Sequence, residues 1–274
     1  MCRVIDLQQS VLAKNDGLAG ALRTELADRG VTMVNLLSSP GSGKTELLQR
    51  ILGHARSLGV PVAAVTADLA TEHDAERLAE SGAPVKQLLT GGLCHLEAEQ
   101  LRSHLDGWLP DGTRALFVEN VGNLVCPASY DLGETLRVAL MSVTEGEDKP
   151  VKYPTAFGLA HLVVLTKTDL AAAAGFDQRA FTGYVAQVNP GVEILTTSAR
   201  DGRGVAELWA RVAAVCGGAP VHRPPLAGVH AREHGHSHEH TPAREHGHSH
   251  EHTPAREHTP AGALIDAAPG STAR

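Results

Sequence analysis

The chain has 274 residues, 42% of them hydrophobic but only 3% aromatic, and a formal charge of −7 with histidine counted as neutral. That balance suits one sizeable domain with a core of Ala, Val and Leu, plus a tail, and it excludes a generic nucleic-acid binder, which needs a cationic footprint. No apolar run reaches the roughly 18 residues needed to cross a bilayer. The start, MCRVIDLQQS, lacks the basic stretch and apolar run of a signal peptide, so no membrane association and a cytoplasmic location are expected. In that reducing setting Cys2, Cys94, Cys126 and Cys216 are expected to be free thiols or metal ligands, not disulfides.

Leu7, Val11, Leu18, Leu22 and Leu26 recur mostly at helical spacing, so residues 1–30 read as an amphipathic helical lead-in, with Gly17 as a candidate break. Short, continuous apolar runs follow at 31–37, 61–66, 114–119, 161–166 and 192–195, with helical stretches between them and a last helix at 204–216. Such runs fit strands buried on both faces of a parallel sheet. The expected fold class is α/β: a parallel-sheet domain over 31–216, with a disordered His-rich C-terminal tail over 217–274. The tail is poor in large apolar residues and cannot bury a core of its own.

The first strand runs into SSPGSGKT at 38–45. Ser38 stands where the strict phosphate-loop pattern has Gly, but the working part is intact. Gly41, Ser42 and Gly43 supply backbone N–H groups to phosphate oxygens, Lys44 a point charge for the β- and γ-phosphates, and Thr45 a hydroxyl for Mg²⁺. A strand before and a helix after put the anion at a helix N-terminus. Farther on, Thr166-Lys167-Thr168-Asp169 follows an apolar strand, and Asp169 suits the two N–H groups on guanine's Watson–Crick edge; adenine would leave that carboxylate unpaired. Thr166 stands where the usual Asn supports the loop, a replacement expected to weaken that support. Ser198 and Ala199 follow the next strand and match the loop that meets guanine O6. Asp68 and Glu119, each ending a strand, are the candidates for ordering Mg²⁺. Lys44, Asp68 and Asp74 are candidates for the hydrolytic step, and Asp74 reads equally well as a solvated acid in a helix's first turn.

Cys94 and His95 are adjacent at the start of a helix, and Cys126 follows the Glu119 strand. Two thiolates and an imidazole make a soft site for Ni²⁺ or Zn²⁺ that is one ligand short of a closed tetrahedron. Two buried cysteines and a capping histidine account for the same letters equally well. The tail repeats AREHGHSHEHTP at 231–242 and 243–254 and ends the series with AREHTP at 255–260. It gathers His230, His234, His236, His238, His240, His246, His248, His250, His252 and His258, a run of imidazoles suited to Ni²⁺, Cu²⁺ or Zn²⁺.

Over roughly 11–216 the chain resembles the HypB family of hydrogenase maturation GTPases. The resemblance is carried by NLLSSPGSGKT, DAER, TGGLCHLEA, FVENVGNLVCPASYDLGE, GEDKPVKYP, LTKTDL and TSARDG. It implies GTP and Mg²⁺ as cofactors and a metal site at Cys94, His95 and Cys126. It also implies a nucleotide-dependent homodimer, with Lys149 and Lys152 near its interface. The implied partners are hydrogenase maturation proteins and the hydrogenase large-subunit precursor, into which nickel would be inserted. The related urease accessory GTPases carry Cys-Pro-His where this chain has Leu93-Cys94-His95. Two departures stand out: the CxxCGC start of some members is reduced here to Met1-Cys2-Arg3, and the His-rich stretch is C-terminal. The tail is expected to buffer or store nickel. The alternative is a metal-storage protein in which the tail carries the function.

Overall fold

The computed structural model describes residues 2–68 and 73–227. The apolar runs assemble a parallel sheet of seven strands: β1 (Thr32–Ser38), β2 (Val62–Asp68), β3 (Val85–Leu89), β4 (Ala115–Glu119), β5 (Leu136–Ser142), β6 (Leu162–Thr166) and β7 (Ile194–Thr196). Their order is β3-β2-β4-β1-β5-β6-β7. Three strands lie on each side of β1, so the direction of winding reverses at its carboxyl end, where sheets of this type open a crevice for ligands.

The helices are α1 (Cys2–Asp28), α2 (Lys44–Ser57), α3 (His73–Ala79), α4 (Ala98–Leu105), α5 (Lys149–Lys152), α6 (Pro154–Gly158), α7 (Ala171–Ala174), α8 (Gln178–Val188) and α9 (Val205–Cys216). Strand alternation divides the core. Val34 and Leu36 of β1 pack with Leu48 and Ile51 of α2 and Trp209 and Val212 of α9. Met33 turns to the opposite face, into the cluster of Leu22 and Leu26 of α1 and Leu101 and Leu105 of α4. Phe181 and Val185 of α8 cluster with Leu37, Met141 and Leu165. With helices on both faces, β1, β4, β5 and β6 are buried along their whole length. Among the described residues no helix is long and apolar enough to cross a membrane.

Three features differ from the expectation. The strands at Val85–Leu89 and Leu136–Ser142 add to the five anticipated. Helix α1 runs unbroken through Gly17, because its buried Leu22 and Leu26 dock on the sheet and outweigh one glycine's propensity cost. Apart from the helix's own neighbouring backbone, no described atom stands within 4 Å of where a Gly17 Cβ would lie. Gly17→Ala is therefore expected to raise stability by about 0.5–1 kcal/mol, seen as a higher midpoint in urea; a lower midpoint would refute it.

The third difference is the start of the tail, placed at 217 by composition, whereas the described chain stays packed on the domain through residue 227. Asn189, buried at the end of α8, donates both amide hydrogens, to Phe157 O and Ala160 O at 2.8 Å each. Its Oδ1 accepts from His222 Nε2 at 2.7 Å. Leu226 then covers Gly158, where a Cβ would fall 2.3 Å from the Leu226 Cδ1.

Candidate functional site

The loop 38–45 joins β1 to α2. Gly41 and Gly43 take φ values of 73° and 87°, backbone that L side chains rarely adopt, whereas Ser38 stays in strand conformation. That is why a serine serves at position 38: nothing there requires glycine. Lys44 is buried and donates from Nζ to Asn120 O at 2.7 Å, with Glu119 Oε1 3.8 Å away. The Thr45 hydroxyl donates to Glu119 Oε1 at 2.7 Å.

Burial pushes the Glu119 carboxyl above the usual carboxylate range, while Lys44 and Thr45 oppose the rise and Asp74 adds to it. Its second oxygen is buried without a bond of hydrogen-bonding geometry, although the Thr66 hydroxyl is near enough to ease its charge. An orphaned carboxylate oxygen beside a Thr hydroxyl and a phosphate loop is a donor set suited to Mg²⁺. Ser38 through Glu46 line this cleft together with Ala67, Asp74, Arg77, Glu119 and Gly122. Asp74 thus stands in the cleft. Asp68 is the last residue of β2, and its side chain lies outside the described residues.

A second cavity of about 420 Å³ adjoins the loop, walled by Gly43, Leu47, Arg50, Thr166, Lys167, Asp169, Thr197 and Ala199. Lys167 is the one described non-glycine residue with positive φ (57°); it turns back so that Nζ donates to Gly41 O at 2.6 Å. Thr166 donates to Ser42 O at 2.6 Å from a buried position. The Thr166 hydroxyl thus ties the end of β6 to the phosphate loop. Ser198 Oγ donates to Asp169 Oδ1 at 2.9 Å and aligns the carboxylate. Lys167, Asp169, Ser198 and Ala199 are thus brought together beside the phosphate loop.

On the loops after β3 and β4, the Cys94 and Cys126 thiols are neighbours. The Cys126 thiol beside it, then burial, raises the Cys94 thiol above its ordinary value. His95 Nδ1 lies 3.7 Å from Cys94 Sγ, and its ring stacks on Tyr130 at 3.8 Å between centroids. His95 Nε2 is buried without a hydrogen bond, 3.7 Å from Glu97 Oε1. Two adjacent thiols and an unsatisfied imidazole nitrogen fit a soft divalent ion. Among the described residues, no three His, Cys, Asp or Glu side chains yet converge on one point. Lys149 and Lys152 sit on α5, paired with Glu145 at 3.0 Å and Asp148 at 2.6 Å. The ten tail histidines, His230 to His258, lie outside the described residues.

Beneath both sites runs a buried polar chain that sequence patterns do not reveal. Asn120 Nδ2 donates to Asn35 Oδ1 and Asn35 Nδ2 to Glu134 Oε1, both at 3.4 Å. Arg137 binds Glu134 and donates to Ala128 O (3.1 Å) and Tyr130 O (3.3 Å), the segment that follows Cys126. Arg137 N–H also donates to His161 Nδ1 at 2.9 Å.

Burial lowers the His161 imidazole to about 4, helped by the positive charge of Arg137. A histidine held neutral in the fold stabilises fully above its unfolded value of about 6.5, and that stability is lost as pH falls from there toward 4. Allowing for partial solvent access, about 1–2 kcal/mol is expected to go in that window, measured by urea unfolding at successive pH values. His161→Gln should flatten this part of the profile; an unchanged slope would show that other groups cause it.

Residues 32–196 match the model of the CobW/HypB/UreG nucleotide-binding domain. The hydrogenase maturation factor HypB of Azotobacter vinelandii is 46% identical over 209 residues, covering 75% of this chain and 67% of the relative. The chain belongs to the HypB family of hydrogenase maturation factors. Among solved structures it is similar to HypB from Helicobacter pylori in complex with nickel: 33% identical, TM-score 0.71, covering 75% of this chain and 96% of that one. HypB from Archaeoglobus fulgidus is 34% identical with TM-score 0.69, covering 75% and 100%. The phosphate loop, the second cavity and the thiol pair of this chain all lie on loops that leave the carboxyl edge of one sheet.

Proposed function

We propose that this chain hydrolyses GTP to GDP and phosphate and uses that cycle to hand nickel to a [NiFe]-hydrogenase precursor, with the tail holding a nickel reserve. The observation that carries the reading is the placement of the Cys94–Cys126 pair on loops that leave the same sheet edge as the phosphate loop. Asp169 reads guanine, Ser198 and Ala199 close the base cavity, and Lys44 holds the β- and γ-phosphates. Thr45 and Glu119 would hold Mg²⁺, which would supply charge neutralisation at the phosphate oxygens. Asp68 and Asp74 are the acids assigned to the hydrolytic step, with Asp74 lining the phosphate cleft. Cys94, His95 and Cys126 take nickel as cargo, or Zn²⁺ in its place. Exposed Leu93 and Val125 flank the two cysteines and suit a second copy of the chain, whose ligands complete the coordination in a nucleotide-dependent homodimer. Hydrogenase maturation proteins and the large-subunit precursor are the partners, in the cytoplasm.

The test is equilibrium nickel binding to a chain ending at residue 227, with GDP and with a non-hydrolysable GTP analogue. Nickel affinity is expected to differ between the two forms, and GTP affinity must then shift with nickel by the same factor. Identical affinities would remove the basis for nucleotide-gated transfer. Nickel binding confined to the full chain would favour the storage reading.

A further inference from the structure

Asn15 on α1 is buried, and both ends of its amide are committed to distant backbone. Nδ2 donates to Asp131 O at 2.7 Å, and Oδ1 accepts from Ala98 N at 3.0 Å. Asp131 belongs to the segment that follows Cys126 and includes Tyr130, on which the His95 ring stacks. Ala98 is the first residue of α4, directly after the Cys94–His95 turn. Glu97 makes no side-chain cap at that helix start, so a side chain 83 residues away satisfies one of the N–H groups that every helix leaves open. The assignment of the amide is fixed by its partners: a carbonyl must face NH₂ and an N–H must face the oxygen. Arg23 adds a 2.7 Å bond to the Asp131 carboxylate, and Arg102 of α4 binds Glu25 at 3.0 Å.

We propose that Asn15 is a positioning residue for the Cys94, His95 and Cys126 site. Its planar amide sets the separation of the two ligand-bearing loops. Helix α1 lies outside the matched nucleotide-binding region, residues 32–196, yet it sets how tightly the thiols and imidazole hold a metal. This rests on the metal site proposed above. Outer groups that orient metal ligands typically matter by 10- to 100-fold in affinity.

The test uses the full chain with Co²⁺ as probe, read by the near-ultraviolet thiolate-to-cobalt band, to which tail histidines contribute nothing. Asn15→Leu removes both hydrogen bonds, and Asn15→Asp sets an acceptor against the Asp131 carbonyl. Each is expected to weaken the band's apparent affinity about tenfold or more, while binding of a GTP analogue stays within about twofold. Ala98→Pro removes the same tie from the other side at a first helical position that accepts proline, and it serves if the Asn15 variants do not fold. An unchanged cobalt affinity in folded variants, with only the melting temperature lowered, would overturn the positioning role. A band that is absent from the unmodified chain, or that persists in Cys94→Ala and Cys126→Ala, would instead defeat the metal-site reading, and the Asn15 role would fall with it.

Discussion

Replacing Asp169 with Asn is expected to weaken GTP binding about 100-fold and to let xanthosine triphosphate bind in its place. The carboxylate would accept two N–H groups of guanine, and hydrogen bonds to a charged group contribute roughly 1.5–3 kcal/mol each. In the variant, the amide NH₂ opposes the guanine exocyclic NH₂ but meets the extra carbonyl of xanthine. Ser198 holds the side chain in either case, since its hydroxyl already donates to Asp169 Oδ1. Competition measured with GTP, XTP and ATP decides the matter. Undiminished GTP binding by the variant, or equal ATP and GTP binding by the parent, would remove Asp169 from its role.

Arg137→Met is expected to cost the fold about 3–5 kcal/mol, because it strands a buried carboxylate. Glu134 and Arg137 are both almost fully buried. Burial alone would raise the Glu134 carboxyl, but the Arg137 guanidinium and backbone N–H groups hold it down to about 2. In the parent, Glu134 therefore stabilises fully above its unfolded value of about 4.5, and that contribution fades as pH falls toward 2. In Arg137→Met, burial goes unopposed, so the deficit should shrink on acidification as Glu134 takes up a proton. Urea midpoints of parent and variant between pH 4 and 8 give the test. A loss below about 1 kcal/mol, the range of an exposed pair, would show that the pair is not closed to water.

The sequence makes the sheet legible wherever an apolar run is β-rich and sits between turn signals, as at VTMVNLL and HLVVLT. It hides β5, because LRVALMS is rich in helix formers, and only burial on both faces makes it a strand. It hides β3 for the opposite reason: Lys86 and Gln87 suit an edge strand and break the apolar run. The phosphate loop and the Thr166–Asp169 segment are readable because their chemistry is local, residue by residue. The ties among Asn15, Asp131 and Ala98, and from Lys44 through Asn120 and Asn35 to Arg137, join segments far apart in the chain. No periodicity or spacing records such contacts. Tyr130 is likewise invisible until its ring is seen under His95.

The clasp of Asn189, His222 and Leu226 decides where this protein can be cut. A chain ended at Cys216, where composition changes, would lose the acceptor's partner at a fully buried amide and uncover the Gly158 backbone. Such a chain would be damaged in its fold, and any maturation defect it showed would be misread as loss of metal reserve. One ended at residue 227 keeps both contacts and removes His230 together with the nine histidines of the repeat.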